Sequence, residues 1–315
     1  MGGRGYELLT SFADDERLGL HKELDRLQHR CDNFFNGAFH PFGFGANWHN
    51  LGLGLAHSLY YNMTLYPHDE YKYFIRMTTC TEEDLKRSFG AHPPETNFTR
   101  WNISTINFKS MGNIATINVE SMGSDEGDLL KRKTIIRSEY QDKGHFWWRS
   151  MLTYYLMRPN IGLRELIRQS STVTTPCMSI HVRHSDKSSE AALIEFSKYM
   201  EHAERYRAKT QVSSVYLLTD DDEVIKSTKN YSDFQFHFLD MARSNKGWEA
   251  DRDTGMSRDQ QERTFLIDIF SAVRCQHSIV TYSSNVGRLI AEVAYAIRNR
   301  EPNVVSLDEA WKMDP

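Results

Sequence analysis

The chain has 315 residues, 40% of them hydrophobic and 25% charged, ordinary for a globular protein with material for one large α/β domain or two medium ones. A net charge of −4 argues against general nucleic-acid binding, which needs a broad basic surface. No apolar run approaches the roughly 18 residues of a membrane-spanning helix.

The N-terminus, Met1-Gly-Gly-Arg-Gly-Tyr-Glu7, lacks the apolar centre of a signal peptide, so the protein is either cytosolic or separated here from an anchor. Residues 16–30 have helical spacing and strong charge. The glycine-rich stretch 40–46 leads into a helix at 47–61, and the apolar run Tyr71–Met77 reads as a strand ending near Cys80. Residues 81–104, with Pro93-Pro94, read as surface loop; Ile114–Val119 alternates like a strand, and Gly123–Gly127 is a loop. An aromatic, then aliphatic, helical stretch covers 146–168 and is interrupted by Pro159. These features divide the chain into an N-terminal α/β part (1–145), a bridging helical segment (146–170) and a C-terminal part (171–315).

The C-terminal part alternates β and α. Strands are expected at Met178–Val182, Val215–Leu218, Phe234–Leu239 and Ser278–Tyr282, and helices at 190–208, Asp222–Lys229, 260–276 and 286–299. Residues 242–257 are polar and irregular. Such alternation indicates a parallel, doubly wound sheet, whose ligands bind outside the carboxyl ends of the strands.

Several of those ends carry polar groups. Met178–Val182 runs into Arg183-His-Ser-Asp-Lys187, where an arginine fork and a lysine point charge suit an anion; the alternative is a solvated charged loop. Tyr282-Ser-Ser-Asn-Val-Gly287 joins a strand to a helix and offers hydroxyls and free N–H groups to a phosphate, or only a cap from Ser284 or Asn285. Thr219-Asp-Asp-Asp222 reads either as a metal-binding Asp-x-Asp motif or, preferably, as a helix cap with an acidic first turn. Asp268, inside the apolar helix Phe265–Phe270, requires a specific partner, either a core cation or a ligand donor. His49 and His57 lack the spacing of a zinc protease and are treated as structural.

Of the four cysteines, Cys177 and Cys275 read as small buried hydrophobes, whereas Cys31 and Cys80 have polar surroundings that allow pairing in an oxidising compartment. The absence of Cys-x-x-Cys spacing argues against zinc. Sequons at Asn62, Asn97, Asn102 and Asn230 are consistent with a secretory route.

His181-Val-Arg-His-Ser-Asp-Lys187 with Glu190-Ala-Ala192 resembles the His-Val-Arg-Arg-Thr-Asp-Lys…Glu-Ala-Ala motif of α-1,6-fucosyltransferases, a family that acts on the N-glycan core or on chitin oligosaccharides. Val215-Tyr-Leu-Leu-Thr-Asp-Asp221 is similar to the family's Val-Tyr-Leu-Ala-Thr-Asp-Asp, and Leu266-Ile-Asp-Ile269 with Tyr282-Ser-Ser284 to its third motif. Trp147-Trp148 and Tyr155-Leu-Met-Arg-Pro159 also match, so the resemblance covers 146–290. Gly45-Ala-Asn-Trp-His49 is more weakly similar to a Gly-Cys-Gln-Leu-His stretch.

The resemblance implies a GT-B-like two-domain glycosyltransferase with a Rossmann-like C-terminal half that binds a GDP-sugar. It implies transfer of L-fucose from GDP-fucose to an oligosaccharide or glycoprotein acceptor, with inversion and without a metal. Arg183 would bind the β-phosphate with Ser284, and His184, Ser283 and Asn285 would line the donor site. His181 and Asp268 would hold the guanosine, and Asp220 and Asp221 would form a structural or donor loop. Glu190 would be the general base, helped by Lys187, and Cys31–Cys80 would be a disulfide. The implied location is the secretory lumen, in the Golgi.

Two departures stand out. His184 replaces the family's second arginine, exchanging a fixed cation for a group that is usually neutral at pH 7. Asn285 replaces a glutamine. The altered arginine pair leaves open a different donor sugar, a peptide or cell-wall acceptor, or an idle glycan-binding homologue.

Overall fold

The computed structural model describes residues 16–32, 34–37, 44–67, 72–89, 105–110, 113–118, 136–170, 173–184, 193–243 and 255–312. The loop 123–127, the sequons at Asn97 and Asn102, and the residues Lys187 and Glu190 lie outside this set. The chain forms two compact units, one containing residues 16–37 and Asn47–Leu156, the other Met157–Lys312.

In the first unit, α1 (Glu16–Gln28) buries Leu20, Leu24 and Leu27, the i, i+4, i+7 stripe of an amphipathic helix. Most of α2 (Phe44–Tyr60) also belongs here. Two short strands, β1 (Phe34–Gly37) and β2 (Thr64–Pro67), pair in parallel. Each has only four residues, too few for a period-2 signal, and neither was expected. The Cys31–Cys80 disulfide implied by the family resemblance is formed beside them, with Cα atoms 5.4 Å apart.

Two expectations fail in this unit. Residues 72–79 form turns and bends rather than a strand, because burial falls on the adjacent pairs Tyr73-Phe74 and Met77-Thr78, not on alternate residues. The supposed loop after residue 81 begins with α3 (Glu82–Phe89). Its signal was present in Thr81-x-x-Asp84: the Thr81 N–H donates to Asp84 at 2.9 Å and the Asp84 N–H to Thr81 Oγ1 at 3.2 Å. Strands β3 (Thr105–Ser110) and β4 (Asn113–Asn118) form an antiparallel pair. Helix α4 (Gly144–Leu156) closes the unit, with Tyr155 donating to Asp25 of α1 at 2.8 Å.

The second unit opens with α5 (Ile161–Ser170) and continues through β5 (Met178–Val182), α6 (Phe196–Thr210), β6 (Ser214–Thr219), α7 (Asp222–Ser227), β7 (Gln235–His237), α8 (Arg258–Ala272), β8 (His277–Val280), α9 (Asn285–Arg298) and β9 (Val304–Ser306). The five strands form one parallel sheet in the order β7-β6-β5-β8-β9. The expected doubly wound sheet is therefore present, with β9 as an additional edge strand. Strand order reverses between β5 and β8, the switch point at which such sheets open a crevice.

The two faces of this sheet differ chemically. Met178, Ile180, Val182, Val215, Leu217 and Ile279 join Phe196, Tyr199, Met200 and Ala203 of α6 in one apolar cluster. The opposite face carries Ser179, His181, Tyr216, His237 and Ser278, which the register places side by side. A direct Ser179–Ser278 hydroxyl contact of 2.8 Å lies on this face.

Cys177 and Cys275, expected as free hydrophobes, are joined as a second disulfide. They precede β5 and β8, which are neighbours in the sheet although 98 residues separate the cysteines. Cys177 opens an apolar run and Cys275 lies in a helical pattern, so both read as hydrophobes, and only sheet order reveals the pairing. A link closing so long a loop restricts the unfolded chain most, so replacing both by alanine should lower stability by about 2–4 kcal/mol. Urea unfolding of the double variant measures this; an unchanged midpoint would contradict it.

Candidate functional site

The carboxyl ends of β5, β6 and β8 supply the polar groups at the switch point. Arg183, directly after β5, pairs with Asp220, directly after β6, and its side chain keeps 23% of its surface exposed. The other Asp220 oxygen accepts the His184 N–H at 2.9 Å. Asp221 caps α7 by accepting the Glu223 N–H at 2.8 Å, and it also accepts from His184 Nδ1 at 2.8 Å. Residues 219–222 thus form the capped turn preferred above, but their carboxylates also hold the Arg183–His184 pair. No cluster of residues suited to a metal occurs among the described residues.

The two histidines titrate in opposite directions. Burial pushes His181 down to about 4, with Asp220 opposing and Arg183 reinforcing the shift, so it is neutral at pH 7. Its Nδ1 is buried without a hydrogen-bonding partner among the described residues. Burial opposes the His184 charge, but bonds to the Ile194 carbonyl and Asp221, with the fields of Asp221 and Asp220, outweigh that and raise its pKa above the ordinary value. The shift runs toward the charged form, opposite to that of His181.

After β8, Ser284 occupies the N-cap position of α9, yet its side chain makes no capping bond. The Ser284 hydroxyl is thus not spent on capping α9, and the helix dipole adds a positive field there. Ser284 is 5% exposed. Asn285 accepts from Arg288 of the same helix. Gly287 packs so closely that a Cβ would collide with the Thr281 carbonyl oxygen, which locks α9 onto the end of β8. Phe42–Ala46 belong to this unit, and there a Cβ on Gly45 would lie 2.8 Å from Asn285 Cβ. The glycine-rich start of α2 therefore approaches the start of α9 closely.

Asp268 of α8 finds its partner in Tyr216, whose hydroxyl donates at 2.7 Å. This partner is a neutral hydroxyl and not the core cation considered from sequence. Burial pushes the Asp268 carboxyl up to about 7, against the Tyr216 hydrogen bond and the field of Arg243. Tyr216 and His181 lie on the same face of the sheet, so Asp268 and His181 serve one side of it.

Two contributors were missed. Arg243, in the stretch read only as polar and irregular, donates to the carbonyls of Thr219, Met241 and Leu239 at 3.0, 3.1 and 2.9 Å and stiffens the end of β6. Asp308, beyond β9, accepts the N–H groups of Tyr282 and Ser283 at 2.8 and 3.2 Å and anchors the loop before α9. Burial opposes the Asp308 charge, but hydrogen bonds from Ser283, Glu309, Ser306 and Tyr282 hold its carboxyl below the usual range. No local motif marks either residue.

A family model described as alpha-(1,6)-fucosyltransferase N- and catalytic domains matches residues 134–311, more than half of the chain. Among solved structures, POFUT1 in complex with GDP-fucose is similar at 10% identity and a TM-score of 0.52, covering 89% of this chain and 98% of that one. NodZ α-1,6-fucosyltransferase soaked with GDP-fucose matches at 13% identity and 0.47, covering 83% and 92%. Fucosyltransferase NodZ from Bradyrhizobium matches at 15% identity and 0.42, covering 82% and 92%. The fold is GT-B-like α/β, with a Rossmann-like C-terminal half.

The raised Asp268 pKa has a stability signature. The folded chain keeps this proton to about pH 7, whereas the unfolded chain releases it near the ordinary 3.8. Stability therefore falls as pH rises between those values, and the full penalty remains above pH 7. Asp268→Asn retains an acceptor for Tyr216 and removes the charge. It should stabilise the protein by about 1 kcal/mol or more at pH 8 and by little at pH 4.5. Thermal melts at both pH values test this; a gain independent of pH would show that Asp268 is not the titrating group.

Proposed function

Because this chain belongs to the α-(1,6)-fucosyltransferase family, we propose that it transfers L-fucose from GDP-fucose to a GlcNAc-containing glycan in α-1,6 linkage. The observation that carries this reading is the placement of Arg183 after β5 and of Ser284, at the start of α9, after β8, the two strands being neighbours in the sheet. A dinucleotide-type sheet holds phosphate at such a switch point. The GDP-fucose in the POFUT1 complex belongs to a protein of similar fold and supports the donor class.

In this reading, Arg183 and Ser284 hold the β-phosphate, with Ser283 and Asn285 beside it. His181, neutral and with an unused ring nitrogen, and Asp268 hold the guanosine portion. Glu190, helped by Lys187, takes the proton from the acceptor hydroxyl. The acceptor oxygen then forms a bond to the anomeric carbon as the bond from that carbon to the β-phosphate oxygen breaks, and GDP leaves with the electron pair. The configuration inverts. No metal is required, since arginine, lysine and a helix N-terminus supply the positive field that the leaving diphosphate needs.

Arg183→Ala should reduce turnover by about 10²–10³-fold in a GDP-release assay, with a smaller loss for Ser284→Ala. Full activity of Arg183→Ala would sink the assignment. Competing GDP-mannose and GDP-galactose against GDP-fucose decides the donor sugar.

We also place the protein in the secretory lumen, in the Golgi. All four cysteines are paired, which suits an oxidising compartment, and the sequons at Asn62 and Asn230 are exposed. Protein isolated from its native cells should then gain mobility on treatment with an N-glycosidase; unaltered mobility, with all cysteines reduced, would indicate the cytosol.

A further inference from the structure

We infer that His184 is a positioning residue, an imidazolium that ties the chain at Ile194 to the Asp220–Asp221 turn, and not a ligand of the donor. This rests, in its kinetic consequence only, on the transferase reading above. The geometry comes first. Nδ1 lies 2.8 Å from Asp221 Oδ2 and Nε2 lies 2.9 Å from the Ile194 carbonyl oxygen. A carbonyl oxygen only accepts, and an ionised carboxylate only accepts. A neutral imidazole has one N–H, so one of its nitrogens would face an oxygen lone pair to lone pair. Only the doubly protonated ring satisfies both neighbours.

Moving the proton to Asp221 does not resolve the conflict. Asp221 also accepts the Glu223 N–H at the start of α7, where the helix dipole favours the carboxylate. The groups facing His184 are Asp220 and Asp221 from the turn after β6, the Ile194 carbonyl from the segment entering α6, and Arg183 on its own strand end. Two carboxylates thus face two cations, Asp220 with Arg183 and Asp221 with His184. The ring is 15% exposed, so little water competes for these bonds. Its raised pKa agrees with this arrangement.

The consequence follows from position in the chain. His184 and Ile194 flank the segment that contains Lys187 and Glu190. Their bond joins the two described residues on either side of that stretch, and a charge-assisted hydrogen bond of this kind is among the stronger ones. Both ring nitrogens are spent within the protein, which leaves none for a phosphate. The positive charge that the family carries on its second arginine is retained here, and it is used to fasten the ends of the segment bearing the base. As pH rises through the His184 pKa, the ring loses one of the two bonds, and turnover should decline on the alkaline side.

Nitrogen-15 NMR of histidine-labelled protein, with His184→Ala used to assign the signal, reads the ring directly. We expect both nitrogens protonated at pH 7, a titration midpoint above the ordinary 6.5, and a lower midpoint in Asp221→Asn. A neutral tautomer at pH 7 in the free protein would overturn the inference. With GDP-fucose and a chitin or N-glycan acceptor, His184→Ala should lose turnover by about 10- to 100-fold while calorimetry shows unchanged affinity for GDP. Loss of GDP affinity in that variant would instead make His184 a donor ligand. Should the transferase reading be wrong, the unaltered protein would show neither GDP binding nor turnover, yet the NMR result would still decide the state of His184.

Discussion

Strand β5 is hydrogen-bonded along both edges, to β6 on one side and β8 on the other, and the candidate site depends on that central position. A parallel strand flanked on both sides cannot shift register without breaking two ladders and moving its apolar residues off the α6 face. Its carboxyl end is consequently held where the ends of β6 and β8 also emerge. Arg183 meets Asp220 because one strand lies beside the next, and Ser284 stands across from them because β8 lies on the other side. The Cys177–Cys275 link fastens β5 and β8 at their opposite, amino-terminal ends.

Charge at the site is organised in layers. Behind Arg183 and His184 stand the carboxylates of Asp220 and Asp221, and behind Asp221 stands the Glu223 N–H; Asp308 instead accepts the Tyr282 and Ser283 N–H groups and holds backbone. Asp268 is the exception, a carboxyl with a tyrosine for a partner and a pKa near 7. Such a group lowers stability when ionised. The polar face of the sheet fits the same logic. Its buried histidines and serines need hydrogen-bonding partners, as Ser179 and Ser278 find in each other, whereas the opposite face packs its apolar cluster against α6.

The β/α rhythm of the second unit was legible because strands buried on one or both faces are compact apolar runs, and a helix such as α9 carries a clear amphipathic periodicity over its 14 residues. The four-residue strands β1 and β2 are too short to carry a pattern, and the run at 71–77 misled because its apolar residues follow an irregular chain path. At the site, Arg183, Asp220 and Ser284 could be marked from their places at strand ends. Arg243 and Asp308 could not, since each acts by reaching backbone groups more than 20 residues away.

By itself the sequence determined the alternating architecture, the motif set that identifies the family, and the kinds of group available to meet an anion, because these depend on local periodicity and residue chemistry. Tertiary structure alone decided how those groups are shared. It paired Cys177 with Cys275 across a sheet order invisible in the chain, and gave Asp268 a tyrosine in place of a cation. It also set the Asp221 carboxylate against one ring nitrogen of His184 and the Ile194 carbonyl against the other. Protonation, pairing and burial are properties of neighbours, and neighbours at the ends of different strands are set only when the sheet is assembled.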